Sequence, residues 1–199
     1  LLSARDETTG EGLTPGEIRD EVITLLIAGH ETVASALTWT WHLLAHNPQE
    51  REKLEREVDA ILVGRAPSSA DLAALPHTAA VFSEALRLYP PAWLITRRSI
   101  QADSLPGGEI LPNALVIISP YVVHRHAEFW PQAADFTPAR FAGEAAGSQH
   151  RFAYIPFGGG PRLCIGNNFA LIEGQLILAC VAQRFRLDDI VCPITQKRT

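Results

Sequence analysis

The run Phe157-Gly158-Gly159-Gly160-Pro161-Arg162-Leu163-Cys164-Ile165-Gly166 presents one cysteine in a glycine-rich loop directly ahead of a helix-forming stretch. A helix amino terminus favours an anion, so this placement favours the sulfur as thiolate, the form that acts as nucleophile and metal ligand. Glycines let the backbone approach a ligand and aim N–H groups at the sulfur, and Phe157 is placed to shield it from water. A phosphate-binding loop is a poor alternative, because neither Walker spacing nor a complete G-x-G-x-x-G is present. A second concentration is Ala28-Gly29-His30-Glu31-Thr32, where a glycine, an acid and a hydroxyl interrupt an apolar stretch. Such groups can relay protons. Equally, a helical threonine bonds back to the preceding turn's carbonyl and Glu31 can simply face water. A zinc-protease helix is disfavoured, since position 34 is Ala where the second His would stand.

Glu84-Ala85-Leu86-Arg87 places a carboxylate and a guanidinium at i and i+3 on one helix face. An exposed pair of this kind contributes only about 0.2–0.5 kcal/mol and says little by itself. His124 and His126 flank Arg125 with no third ligand nearby, a pattern expected of surface residues rather than a metal site. Cys180 lies in an apolar helix and is expected in the core. Trp93, Leu94 and Ile95, like Leu26, Ile27 and Val33, are equally read as pocket walls or as ordinary packing.

These residues need elements to hold them. Thr14-Pro15-Gly16-Glu17 has the form of a capping box with proline at the first helical position, and no further proline occurs before Pro48. That predicts one helix longer than about 40 Å, running through the body of the protein and carrying the 28–32 run at its middle. Gln49 to Leu62 alternates charges around Leu54, Val58, Ile61 and Leu62, a surface helix with one buried stripe. His77 to Leu88 is a further helix, ended by Pro90-Pro91. Leu94 to Ile100 and Leu115 to Ser119 read as strands of a small sheet with Gly107-Gly108 as the turn signal between them. A last helix runs from about Asn168 to Phe185, and Ile190 to Ile194 is strand-like.

With 47% hydrophobic and 20% charged residues, the 199-residue chain is globular rather than disordered. A net charge of -5 and no long like-charge block argue against nucleic acid or an anionic membrane surface as partner. Cys164, Cys180 and Cys192 form no C-x-x-C frame, which disfavours a disulfide scaffold and fits a reducing compartment. No apolar run reaches the roughly 18 residues of a membrane span. The absence of methionine and the abrupt ends suggest that both termini are cut.

Four ordered motifs, Ala28 to Thr32, Glu84 to Arg87, Phe136-Thr137-Pro138-Ala139-Arg140-Phe141 and Phe157 to Gly166, resemble the cytochromes P-450 across nearly the whole chain. The resemblance implies a mainly α fold with a small β portion, residues 1–199 being the carboxy-terminal part of a haem domain. It implies haem b, iron protoporphyrin IX, with Cys164 as axial ligand of the iron, a thiolate that favours O–O cleavage. Arg162 and Arg98 would bind its propionates, Arg97 being close behind Arg98, while Phe157, Gly158, Gly166 and Gly29 would contact it. Glu84, Arg87 and Arg140 would form a buried network holding the cysteine loop. Thr32 and Glu31 would be the distal pair delivering protons to dioxygen. The implied activity is monooxygenation of a small, hydrophobic organic substrate, with NAD(P)H electrons arriving through a ferredoxin, flavodoxin or flavoprotein reductase. The sequence style resembles soluble, cytoplasmic bacterial members, with an anchor in a missing amino-terminal part left open. A non-catalytic haem-binding fragment and a haem-thiolate peroxygenase or isomerase are the competing expectations.

Overall fold

The computed structural model describes residues 1–143, 147 and 150–187. Helix α1 spans Pro15–His46, and its start is the predicted capping box: the Glu17 N–H donates to Thr14 Oγ1, and the Thr14 N–H donates to Glu17 Oε2 at 2.8 Å. Its 32 residues extend about 48 Å. Only the second half runs through the body of the protein, with Val33, Ala36, Leu37, Trp41 and Leu44 in the core. The apolar residues of the first half, Val22, Ile23, Leu26 and Ile27, stand exposed. The expectation that α1 runs through the body of the protein therefore holds for its second half only: helix length follows from caps and local propensity, whereas burial needs a partner surface. By length and composition α1 is also apolar enough to cross a membrane, which corrects the expectation that no run is. A core helix passes the same test.

Helix α2 (Pro48–Leu62) buries Leu54, Val58 and Leu62 completely, while Ile61 of the stripe read from the spacing is only half-buried. Helix α3 (Pro76–Leu88) starts behind Leu75, which has no side-chain oxygen to cap it. Glu57 of α2 supplies the cap instead, its carboxylate accepting from the His77 and Thr78 N–H groups at 2.7 and 2.8 Å and from the Thr78 hydroxyl. Strand β1 (Ile95–Arg98) pairs antiparallel with β4 (Leu115–Ile118), Arg97 opposite Val116. Between them β2 (Asp103–Leu105) and β3 (Gly108–Ile110) form a separate hairpin. Gly107, at φ +115°, thus turns this inner hairpin rather than the outer pair, and the small sheet is two two-stranded ones. A short α4 (Pro120–Val123) follows, and α5 (Asn167–Ala182) packs on α1 and α3. The contact with α3 depends on Gly174, where a Cβ would clash with the edge of the Phe82 ring. Cys180 is half-buried rather than fully in the core. The strand-like 190–194 stretch and Cys192 lie outside the described residues.

Candidate functional site

Cys164 stands two residues ahead of Gly166, the amino-terminal cap of α5. Its N–H donates to the Phe157 carbonyl at 3.0 Å and the Leu163 N–H to the Gly160 carbonyl at 3.0 Å, closing a tight loop. Gly158 and Gly160 adopt φ +77° and +70°, a left-handed region costly for residues with a Cβ. The Cys164 thiol is exposed and forms no disulfide among the described residues. It opens into a cavity of about 730 Å³ whose opposite wall is α1 at Leu25, Ala28, Gly29, Thr32, Val33 and Ala36. Phe82 and Leu86 of α3 and Ile95 of β1 contribute apolar wall, and Phe157, Gly158, Arg162 and Gly166 surround the cysteine side. A Cβ on Gly29 would meet no other atom, so this stretch of the α1 wall borders open space.

Several sequence expectations separate here. Thr32 reaches the cavity, but its hydroxyl also donates back to the Ala28 carbonyl at 2.7 Å. Glu31 is exposed and lies outside the lining, one residue further round the helix. Arg97 and Arg98 take different places. Successive strand residues face opposite ways, so only one of the two can line the cavity; Arg97 does, while Arg98 Nη1 donates to the backbone carbonyl and Oδ1 of Asn113, both at 3.0 Å. Ile95 and Val33 prove to be wall residues, whereas Trp93, Leu94, Leu26 and Ile27 do not. Leu25, Pro91, Ala92 and the half-buried Glu173 of α5 also line the cavity, and no motif singled them out.

Behind the cysteine loop the pair on α3 is fully buried. Arg87 Nε and Nη2 donate to the two Glu84 carboxylate oxygens at 2.7 and 2.8 Å, a bidentate fork. Its remaining hydrogens go to the carbonyls of His124, Ala133 and Asp135. Glu84 Oε1 also accepts from the Thr137 N–H at 2.9 Å and lies 3.5 Å from Arg140 Nε. Arg87 therefore binds the irregular 124–135 segment to α3, and Glu84 binds the Phe136–Phe141 motif. His124, expected at the surface, is completely buried. Burial, opposed by its bond to the Arg87 carbonyl and reinforced by the Arg87 and Arg125 charges, pushes its pKa down to about 4, so the ring is neutral. His126 is exposed, as expected.

The donor set fits a flat, apolar, iron-bearing group with acidic edges. A single sulfur projects from a glycine loop, the facing wall leaves open space at Gly29, most of the lining is hydrocarbon, and the Arg97 and Arg162 guanidiniums suit carboxylates. The family model described as Cytochrome P450 matches residues 1–199. Cyclooctatin synthase of Streptomyces melanosporofaciens is 48% identical over 190 residues, covering 96% of this chain and 41% of its own. Pentalenene oxygenase of Streptomyces avermitilis is 40% identical, covering 94% of this chain and 41% of its own. Among solved structures, the cytochrome P450DA heme domain superposes with a TM-score of 0.88 at 35% identity, over 93% of this chain and 42% of that one. The chain thus spans about two fifths of the length of these relatives. From the cysteine loop to the buried α3 network, and over its full length in sequence, the chain belongs to the cytochrome P450 family.

Proposed function

We propose that the protein containing residues 1–199 as part of its haem domain is a haem-thiolate monooxygenase, inserting one atom of dioxygen into an organic substrate. The observation that carries this reading is the placement of Cys164 across an apolar cavity from Gly29 and Thr32. Bound haem b would supply the redox chemistry of iron. Cys164 would hold the iron through its sulfur, with Phe157, Gly158 and Gly166 walling the sulfur. Arg97 and Arg162 would pair with the propionates, a role the sequence assigned to Arg98. Gly29 would leave room on the opposite wall, and the Thr32 hydroxyl would hold a proton there, released from its Ala28 bond. Glu31, exposed beside it, would exchange that proton with solvent.

The apolar lining favours a hydrophobic substrate, in keeping with hydrocarbon-named relatives such as pentalenene oxygenase. NAD(P)H would provide electrons through a ferredoxin, flavodoxin or flavoprotein reductase, and the likeness to Streptomyces enzymes supports a cytoplasmic setting.

The test is the absorption spectrum of the complete protein, reduced and exposed to carbon monoxide. A strongly red-shifted Soret band is expected, because only a thiolate opposite CO produces it, and haem binding without the shift overturns the reading. Thr32→Ala should raise electron consumption per product while Thr32→Ser keeps it near wild type; equal coupling in both removes Thr32 from proton handling.

A further inference from the structure

We propose that His124 is a positioning residue for the cysteine loop, its neutral imidazole bridging the last turn of α3 to the segment that leads into Cys164; this rests on Cys164 being the iron ligand as proposed above.

The geometry defines both ring nitrogens. Nδ1 lies 3.0 Å from the Arg87 carbonyl, which can only accept, so Nδ1 carries the hydrogen. Nε2 lies 2.8 Å from the Ile155 N–H, which can only donate, so Nε2 offers its lone pair. Only one neutral tautomer satisfies both, and the ring is wholly buried with no solvent to substitute for either partner. The backbone of His124 is held as well, its carbonyl accepting from Arg87 Nη1 at 2.8 Å. Arg87 and His124 therefore exchange two hydrogen bonds, and the imidazole passes the resulting position on to Ile155.

From Ile155 the path to the sulfur is short. The Gly158 N–H donates to the Ile155 carbonyl at 3.0 Å, and the Cys164 N–H donates to the Phe157 carbonyl at 3.0 Å. Pro156, Phe157 and Gly158 all line the cavity. A shift at Ile155 thus moves the carbonyl that orients Cys164. The Glu84 and Arg87 fork reaches the 124–137 segment but makes no hydrogen bond to residues 155–164. His124 makes that connection at Ile155 itself, beside the Tyr154 hydroxyl, which donates to the Ser83 carbonyl of α3 at 3.0 Å one residue earlier.

The two amide substitutions separate the two ends of the bridge. An Asn side chain places its polar group near the Nδ1 position and keeps only the Arg87 bond, whereas Gln places it near Nε2 and keeps only an acceptor for Ile155. In the complete protein, His124→Gln should retain the red-shifted CO band and His124→Asn should convert it in large part to the unshifted form. His124→Asn should also weaken haem retention about 10- to 100-fold, the loss typical of groups that orient metal ligands. Amide exchange at Ile155, read without haem, should be accelerated in Asn and not in Gln. Equal band proportions in wild type, Gln and Asn, or a loss that follows thermal stability alone in both, overturns the proposal. If the wild type itself lacks the red-shifted band, the ligand assignment fails instead, while Ile155 exchange still reports on the bridge.

Discussion

The two walls of the cavity are built in different ways. On the cysteine side, Glu84, Arg87 and His124 are fully buried, and the hydrogen bonds of Arg87 and His124 converge on backbone groups between residues 124 and 155. On the α1 side, Leu25, Gly29 and Thr32 belong to a half-helix whose apolar residues face outward among the described residues. Irregular backbone needs polar side chains to satisfy and place it, whereas a helix satisfies its own backbone and arrives as a rigid rod. The cysteine wall is therefore sensitive to single polar changes, and the α1 wall to its cap and its packed second half.

The largest break in this comparison is expected from Cys164→Ala, which should abolish the red-shifted CO band entirely while leaving circular dichroism near wild type. Next comes Glu84→Ala, which strands the Arg87 guanidinium in the interior. A loss of about 3–5 kcal/mol is expected, measured by urea unfolding, because removing one partner of a buried pair leaves an uncompensated charge.

His124 gives a pH signature of its own. Its folded pKa lies below the ordinary value, so protons bind preferentially to the unfolded chain. Stability from this group is complete above about pH 6.5 and falls as pH drops toward about 4, by roughly 2–3 kcal/mol. The groups facing the ring are Arg87 and Arg125, both cationic, and Tyr154. His124→Gln should flatten the pH dependence of unfolding in that window, and an unchanged slope would assign it to other groups. Gly174→Ala should cost about 1–3 kcal/mol by overpacking against Phe82, seen in thermal unfolding and relieved by a smaller residue at position 82. The smallest effect belongs to the exposed half of α1, where Ile27→Ser should shift the stability of this chain by less than about 0.5 kcal/mol. A larger loss there would show that the face is covered.

How legible each wall was in the sequence follows from the same difference. The capping box, the α2 stripe and the cysteine loop depend on neighbours within a few residues, and their spacing carried them into the structure intact. His124 did not show, because its partners are 37 and 31 residues away and nothing local distinguishes a buried imidazole from an exposed one. Arg97 and Arg98 were inseparable for a simpler reason: alternation says that they face opposite ways, but only the pairing with β4 says which way each faces. Glu57 capping α3 was equally hidden, since a charged helix surface does not announce which carboxylate has a distant task.

The buried fork on α3 also bears on the order of folding. Glu84 and Arg87 are three residues apart and can meet as soon as one helical turn exists, whereas the carbonyls that Arg87 serves lie 37 to 48 residues downstream. Closing loops of that length costs more chain entropy than a pairing within one helical turn. The local pairing is therefore the less costly of the two, and the 124–135 carbonyls complete the hydrogen bonding of a guanidinium whose charge is already offset on its own helix.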